Sequence, residues 1–201
     1  MGHLSGRVGL VVLAVTLGLM VVACGTVGSG DLVTESRSVG SFDGLDVSEG
    51  INVNLLVDPG AVPSVSVTFD DNLLSKLVTE VRGGTLVIEF DGSVSILGSG
   101  RFVDVTVDSL DSIEVSGGAD LNGFGTATDY RLSASGGADV DLAGLDAANV
   151  EVDISGGANA RVFASVSVVG EASGGAALTV SGDPDQSGID TSGGANVDFE
   201  N

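Results

Sequence analysis

The chain has 201 residues, of which 43% are hydrophobic, and it carries 28 acidic residues against seven Lys and Arg, giving a net charge of -21 at pH 7. This hydrophobic content excludes a disordered chain, and the length suits one or two compact units. So acidic a surface repels phosphate backbones and anionic lipid headgroups. We therefore expect no nucleic-acid partner, and any membrane attachment must be covalent or inserted.

Residues 1–23 are typical of an export signal peptide. A short start containing His3 and Arg7 precedes an apolar run from Val8 to Val22. This run is too short for a comfortable transmembrane helix but suits the hydrophobic part of a signal. We therefore expect an exported protein whose domain lies outside the cytoplasm.

The single cysteine, Cys24, directly follows this segment. The quartet Val21-Val22-Ala23-Cys24 resembles a bacterial lipobox, in which the cysteine is lipidated and becomes the new N-terminus. The resemblance implies that Cys24 is the lipidation site and that its lipid anchors the protein to the cell membrane or envelope. An ordinary cleaved signal or an uncleaved anchor is the alternative. A single cysteine excludes an intrachain disulfide.

Residues 24–39 are predicted to form a flexible tether. The stretch begins Gly25-Thr26-Val27-Gly28-Ser29-Gly30 and stays polar to about Ser38. Such a composition is typical of a mobile, solvated chain. We expect the folded domain to comprise residues 40–201.

The domain is predicted to begin with strands near Phe42, followed by an irregular insert. Apolar residues alternate with polar ones from Leu45 to Leu55, which is the period of a half-buried strand. In the insert we expect a strand, a short helix starting at Asp71 and a hairpin turning at Gly83-Gly84. We expect this insert to cap the N-terminal end of a stack. Its apolar positions are Val65, Val67 and Phe69 in the strand, Leu73, Leu74 and Leu77 in the helix, and Leu86, Ile88 and Phe90 in the hairpin.

A five-residue motif of the form Ser-Gly-Gly-Ala followed by Asp, Asn or Ala occurs five times in the second half of the chain. Its serines lie 19, 20, 18 and 19 residues apart, which is the signature of stacked structural units. Glycine pairs let a chain turn a corner through backbone angles that other residues resist. The segment Val47 to Val53 aligns with Val115 to Leu121, and we interpret it as an older copy of the same repeating unit. The motif serines are Ser116, Ser135, Ser155, Ser173 and Ser192.

Positions counted from each serine form columns of like residues. Offsets -1, +3, +5 and +7 are small or aliphatic, and the even offsets are mostly polar, which predicts strands on both sides of the glycines. The pattern predicts an all-β fold: a single-stranded parallel β-helix with rungs of about 19 residues. The alternative is a meandering antiparallel sandwich, which gives no reason for constant offsets.

Three parts of the chain together resemble the bacterial GIN domain family, whose members are described as adhesin heads. They are Val47-Ser48-Glu49-Gly50-Ile51-Asn52-Val53, the strand Phe102 to Val107, and the repeated motif. The resemblance covers about residues 40–199. It implies a right-handed parallel β-helix on an exported bacterial protein and no established catalytic residue.

Acidic side chains recur on the polar face, and one cluster has oxygen ligands of the kind that calcium takes. It comprises Asp120, Asn122, Asp139 and Asp141. Its columns are interrupted by Asn, Ala, Thr and Arg, which favours a solvated face over a metal site. We therefore assign no metal and no cofactor.

The sequence contains few of the residues that commonly support catalysis. The only histidine, His3, leaves with the signal, and there is no tryptophan and one tyrosine, Tyr130, to stack on sugar rings. The sequence therefore favours a non-enzymatic protein for surface display, adhesion or interaction with an envelope glycan or protein. A polysaccharide hydrolase using two carboxylates is the alternative. A last rung ending near Phe199 without a cap also suggests homo-oligomer formation through that edge.

Overall fold

The computed structural model describes residues 25–200, which are all-β without a helix. Two large sheets, of eight and nine strands, and one two-stranded sheet contain every strand of this region. In chain order the strands are β1 Thr26–Val27, β2 Leu32–Arg37, β3 Gly44–Val47, β4 Asn52–Val57, β5 Ser64–Asp70, β6 Leu77–Arg82, β7 Thr85–Phe90, β8 Val94–Ser95, β9 Phe102–Val107, β10 Ser112–Val115, β11 Asp120–Thr126, β12 Asp129–Ala134, β13 Asp139–Asp146, β14 Asn149–Ile154, β15 Asn159–Phe163, β16 Ser167–Ala172, β17 Ala177–Ser181, β18 Gln186–Thr191 and β19 Asn196–Phe199.

From β10 onwards, successive strands alternate between the two large sheets. Even-numbered strands belong to the eight-stranded sheet and odd-numbered strands to the nine-stranded sheet. Each strand pairs in parallel with the strand two places further along the chain. The antiparallel sandwich considered from the sequence is therefore wrong for the repeats. The all-β class and the parallel pairing of the copies are confirmed.

The register of the strands reproduces the columns predicted from the sequence. Residues four positions after each motif serine lie beside one another, from Asp120 and Asp139 through to Asn196. The alanine column faces the core, since its first four members expose at most 1% of their surface. These alanines are Ala119, Ala138, Ala158 and Ala176.

Each motif turns at its first glycine. Gly156 has φ +70°, and a Cβ added there would lie 2.9 Å from the carbonyl oxygen of Gly136 in the neighbouring layer. Gly157, the second glycine of that motif, has no positive φ. An L side chain at Gly156 would meet both backbone strain and a close neighbour, so in this motif the first position favours glycine more strongly than the second.

The first copy of the unit pairs with the repeats as the alignment predicts. Val47 lies beside Val115, and Val53 lies beside Leu121. Glu49 takes the place of the first glycine, with φ 62°, and its Oε2 accepts a hydrogen bond from the Phe90 N–H at 2.8 Å. This bond connects the strained turn to the end of β7.

The insert contains the predicted strand and hairpin but no helix. β5 is present, and β6 and β7 pair antiparallel on either side of the Gly83-Gly84 turn. Residues 71–76 form consecutive hydrogen-bonded turns, with the Leu77 N–H donating to the Leu73 carbonyl. The predicted helix is wrong, because this segment spans little more than one turn before β6 begins and so short a helix is not stable.

The two ends of the large sheets differ. At one end β7 and β9 extend the parallel pairing beyond β3 and β4, and the antiparallel strands β6, β5 and β2 follow. At the other end β18 and β19 are the last strands of their sheets. We call the first the insert end and the second the open end.

The segment predicted as a tether contains two strands. β1 pairs with β8 in parallel, and β2 pairs with β5 antiparallel along its whole length. Its polar composition does not reveal this order, because β2 pairs with the backbone of β5, between 28 and 38 residues away in sequence. Flexibility is therefore the wrong description for Leu32–Arg37.

Residues 25–200 contain no helix with the length and apolar character needed to cross a membrane. The predicted signal peptide of residues 1–23 and the predicted lipidation site Cys24 lie outside the described residues.

Candidate functional site

The acidic cluster predicted from the sequence lies on the outer face of the nine-stranded sheet. Asp120 is beside Asp139, and Asn122 is beside Asp141. Partial burial and the charge of Asp139 raise the pKa of Asp120. Together with Arg161, these residues line a shallow depression of about 260 Å³. The register of β11 and β13 thus brings the predicted residues together.

One carboxylate of this cluster, that of Asp141, is paired with an arginine and with a backbone amide. Oδ2 of Asp141 lies 3.8 Å from Nη1 of Arg161, and Oδ1 accepts a hydrogen bond from the Ala143 N–H at 3.2 Å. In residues 25–200 no group of three or more His, Cys, Asp or Glu side chains could hold a metal ion. The arrangement is that of a solvated acidic face.

A second depression, of about 420 Å³, lies on the eight-stranded sheet where β12, β14 and β16 begin. Arg131 forms ion pairs with Glu151 and, at 3.7 Å, with Asp153. The side-chain amide of Asn149 donates to Asp129 at 2.5 Å. These polar groups of β12 and β14 therefore pair with one another across neighbouring strands.

Tyr130 lies beneath this depression and is 3% exposed. Its hydroxyl is buried and has no hydrogen-bond partner among the described residues. Burial raises the pKa of Tyr130. The only tyrosine is thus a core residue, so it provides no exposed ring on which a sugar could stack.

The described residues contain neither histidine nor cysteine, since His3 and Cys24 precede them. A nucleophile activated by a histidine, or a thiolate nucleophile, is therefore absent from residues 25–200.

The insert end contains a buried ion pair that the sequence does not reveal. Asp70 at the end of β5 is fully buried, and Arg101 just before β9 is 6% exposed. Nη2 of Arg101 donates to Oδ1 of Asp70 at 2.7 Å. This hydrogen bonding lowers the pKa of Asp70 to about 2. Asp70 continues an alternating strand, so only tertiary contacts distinguish it from a surface carboxylate.

The same carboxylate fixes the N-terminal segment. The Gly30 N–H donates to Oδ1 of Asp70 at 2.6 Å, and a Cβ at Gly28 would lie 2.6 Å from the carboxyl carbon. Asn72 accepts from the Ser29 N–H at 3.0 Å and donates to the Val27 carbonyl at 2.9 Å. Residues 25–30 therefore lie against the insert end.

The open end has the most exposed strands of the repeats. Phe199 is 50% exposed, whereas Val180, its neighbour on β17, is fully buried. Val197 and Ile189 are only partly buried. This layer lacks the neighbour that covers the equivalent side chains elsewhere.

A family model described as "Putative auto-transporter adhesin, head GIN domain" matches residues 41–123 and 98–184. The comparison with curated proteins finds no match. Among solved structures, a "putative adhesin" from Bacteroides fragilis superposes with a TM-score of 0.57 at 16% identity, over 88% of this chain and 100% of that one. A "putative lipid binding protein" from Parabacteroides distasonis gives 0.46 at 17% identity, over 85% and 98%. At 16% identity, the similarity to the Bacteroides fragilis structure shows a shared fold and nothing about function.

Proposed function

The chain belongs to the bacterial GIN domain family, and on this premise we propose that it is an exported, lipid-anchored adhesion protein without enzymatic activity. We further propose that its two large sheets wind as a right-handed parallel β-helix with turns of about 19 residues. The alternation of successive strands between two parallel sheets supports this winding.

One observation carries the proposed display role: the N-terminal segment and the open end lie at opposite ends of the sheets. The Thr26 N–H donates to the Ser93 carbonyl at 3.0 Å, and the next residues are held by Asp70. A lipid on Cys24 would therefore hold the insert end beside the membrane. The open end, formed by β18 and β19, would then point away from it.

The proposed role is binding, not catalysis. Three outward carboxylates of the two depressions, those of Asp129, Asp141 and Glu151, are paired with an arginine or an amide, and the described residues offer no histidine or thiol. No observation in residues 25–200 favours the carboxylate-based hydrolase. The proposed partner is a protein or a glycan of the cell envelope or of another cell.

Membrane anchoring can be tested by producing the full chain in a bacterial host with and without globomycin, which blocks lipoprotein signal processing. We expect globomycin to cause the precursor to accumulate, and Cys24→Ala to abolish labelling by a palmitate analogue. Ser38→Ala, a change in the same segment, is the control and should be labelled normally. Equal labelling of Cys24→Ala and the wild type would contradict the lipid anchor.

The adhesion role can be tested separately by cell attachment. Cells that display the wild-type chain should attach more strongly to immobilised matrix proteins or envelope glycans than cells without it. A glycan-degradation assay on the same cells, with Asp120→Ala and Asp139→Ala variants, tests the alternative. If the cells degrade the glycan and either substitution abolishes that degradation, hydrolysis and not adhesion would be the function.

A further inference from the structure

The open end of the nine-stranded sheet presents unpaired backbone groups. The Asn196 N–H donates to the carbonyl of Ala176, directly before β17, at 2.9 Å, and the Glu200 N–H donates to the carbonyl of Val180 on β17 at 2.8 Å. Because successive residues of a strand point their backbone groups to opposite sides, those of Val197 and Phe199 point away from β17. Among the described residues no strand pairs with that side of β19.

The eight-stranded sheet ends in the same way. The Gln186 N–H donates to the carbonyl of Val166, directly before β16, at 3.1 Å. The Ser192 N–H donates to the carbonyl of Ala172, the last residue of β16, at 3.0 Å. By the same alternation, the groups of Ser187, Ile189 and Thr191 face outward. Two strand edges are thus available at one end of the described region.

The apolar side chains at this end are incompletely covered. Within one column, Leu178 on β17 is 1% exposed, whereas its neighbour Val197 is partly buried. Phe199 is half exposed. A further strand beside β19 would give these side chains the neighbour that every earlier layer has.

The charge of the open end indicates what such a strand would carry. After Arg161 the chain has no Lys or Arg, and the residues around the last two strands include five exposed acids. A second copy of this chain would bring the same acids, which repel one another. A segment with Lys or Arg would instead be attracted. The five acids are Asp183, Asp185, Asp190, Asp198 and Glu200.

From these observations we propose that the open end binds an extended, basic segment of a partner protein by strand addition. In this mode the backbone hydrogen bonds supply affinity, and alternate side chains supply specificity. The added strand lies beside β19, where its apolar side chains cover Val197 and Phe199 and its basic side chains lie near Asp198. Asp190, on the last strand of the other large sheet, adds to the negative charge of the open end. The proposal does not depend on the lipid anchor, because it concerns the end opposite the N-terminal segment.

The test uses the full chain in a nonionic detergent and a fluorescent peptide of about ten residues in which valine and lysine alternate. A peptide alternating valine and glutamate is its matched control. We expect anisotropy to report binding of the lysine peptide alone, weakened by salt. Asp190→Asn combined with Asp198→Asn should weaken binding by about fivefold or more. Asp139→Asn, on the same sheet but away from the edge, should leave the affinity unchanged.

Val197→Pro tests the backbone contact directly, since proline removes an N–H that points to the open edge and not to β17. We expect it to abolish peptide binding while circular dichroism remains that of the folded protein. Three results would overturn the proposal: binding of the glutamate peptide, equal affinity of the Asp190/Asp198 variant and the wild type, or sedimentation showing that the wild type pairs with itself through this edge.

Discussion

Asp70 and Arg101 form an ion pair inside the insert end, with Oδ2 of Asp70 2.5 Å from Nε of Arg101 and Oδ1 2.7 Å from Nη2. Asp70 ends β5, and Arg101 precedes β9, the strand paired with β5. Oδ1 also accepts the Gly30 N–H. One carboxylate thus joins two strands of the insert end to the N-terminal segment.

We expect Asp70→Asn to lower the free energy of unfolding by about 3 kcal/mol, because it removes one partner of a buried ion pair. Urea unfolding followed by circular dichroism measures this change. Asp71→Asn is the matched control, since Asp71 is exposed and its loss should cost much less. Hydrogen exchange at Gly30 should accelerate in Asp70→Asn. Equal stability of the two variants would show that the pair contributes little.

The same pair makes stability depend on acidity. Hydrogen bonding from Arg101 lowers the pKa of Asp70 from 3.8 to about 2. A carboxyl whose pKa is lowered on folding stabilises the protein above its unfolded value, and the contribution is lost as the pH falls through the folded value. We expect the unfolding free energy of the wild type to fall between about pH 4 and pH 2, and that of Asp70→Asn to fall less steeply.

The two glycines of one motif should respond differently to alanine. Gly156→Ala places a methyl group at positive φ and close to the Gly136 carbonyl, so we expect a loss of about 1–3 kcal/mol. Gly157→Ala meets no such conformation, and its nearest neighbour lies 3.5 Å away. We expect it to be neutral or slightly stabilising, because alanine restricts the unfolded chain. Chemical unfolding of both variants measures the difference, which would vanish if both positions were equivalent.

Truncating two residues of one column should lower the free energy of unfolding by different amounts. Leu178→Ala removes a side chain that is 1% exposed, and we expect a loss of about 3 kcal/mol. Val197→Ala, at the same offset in the open layer, should cost under about 1 kcal/mol, because its site is only partly covered. Thermal unfolding ranks the two. A larger loss at Val197 would indicate that another chain already covers the open end.

Tyr130→Phe should raise stability by about 1 kcal/mol. The substitution removes a buried hydroxyl that has no hydrogen-bond partner in the described region and keeps the ring in the core. Tyr130→Ala, which removes the ring as well, should destabilise the protein. Calorimetry of the two variants separates the hydroxyl from the ring. A loss of stability in Tyr130→Phe would indicate a bridging water at that hydroxyl.

The sequence predicts the repeated part well because each inward side chain rests on the equivalent residue of the next layer. That constraint recurs at a constant offset, so it is visible as the alanine column from Ala119 to Ala176 and as the alignment of Val47 with Val115. The turn at Gly156 is predictable for the same reason, since a strained backbone repeats with the motif. The parallel register of the copies is confirmed by their pairing.

The insert and the N-terminal segment are predicted less well. The leucines at 73, 74 and 77 have a helical spacing, yet residues 71–76 form turns because β6 begins at Leu77. The polar segment Leu32–Arg37 is a strand because β5 offers it a free edge. The strand Leu32–Arg37 could not be deduced from local composition, since its partner β5 is remote in sequence.

By itself, the sequence determined the β class, the length of the repeating unit and the side chains that face the core, because these depend on interactions repeated from one copy to the next. Only the tertiary structure decided that the N-terminal segment lies against the insert end and that β18 and β19 remain open. Those features depend on single contacts, such as Asp70 with Arg101, between residues that no periodicity relates.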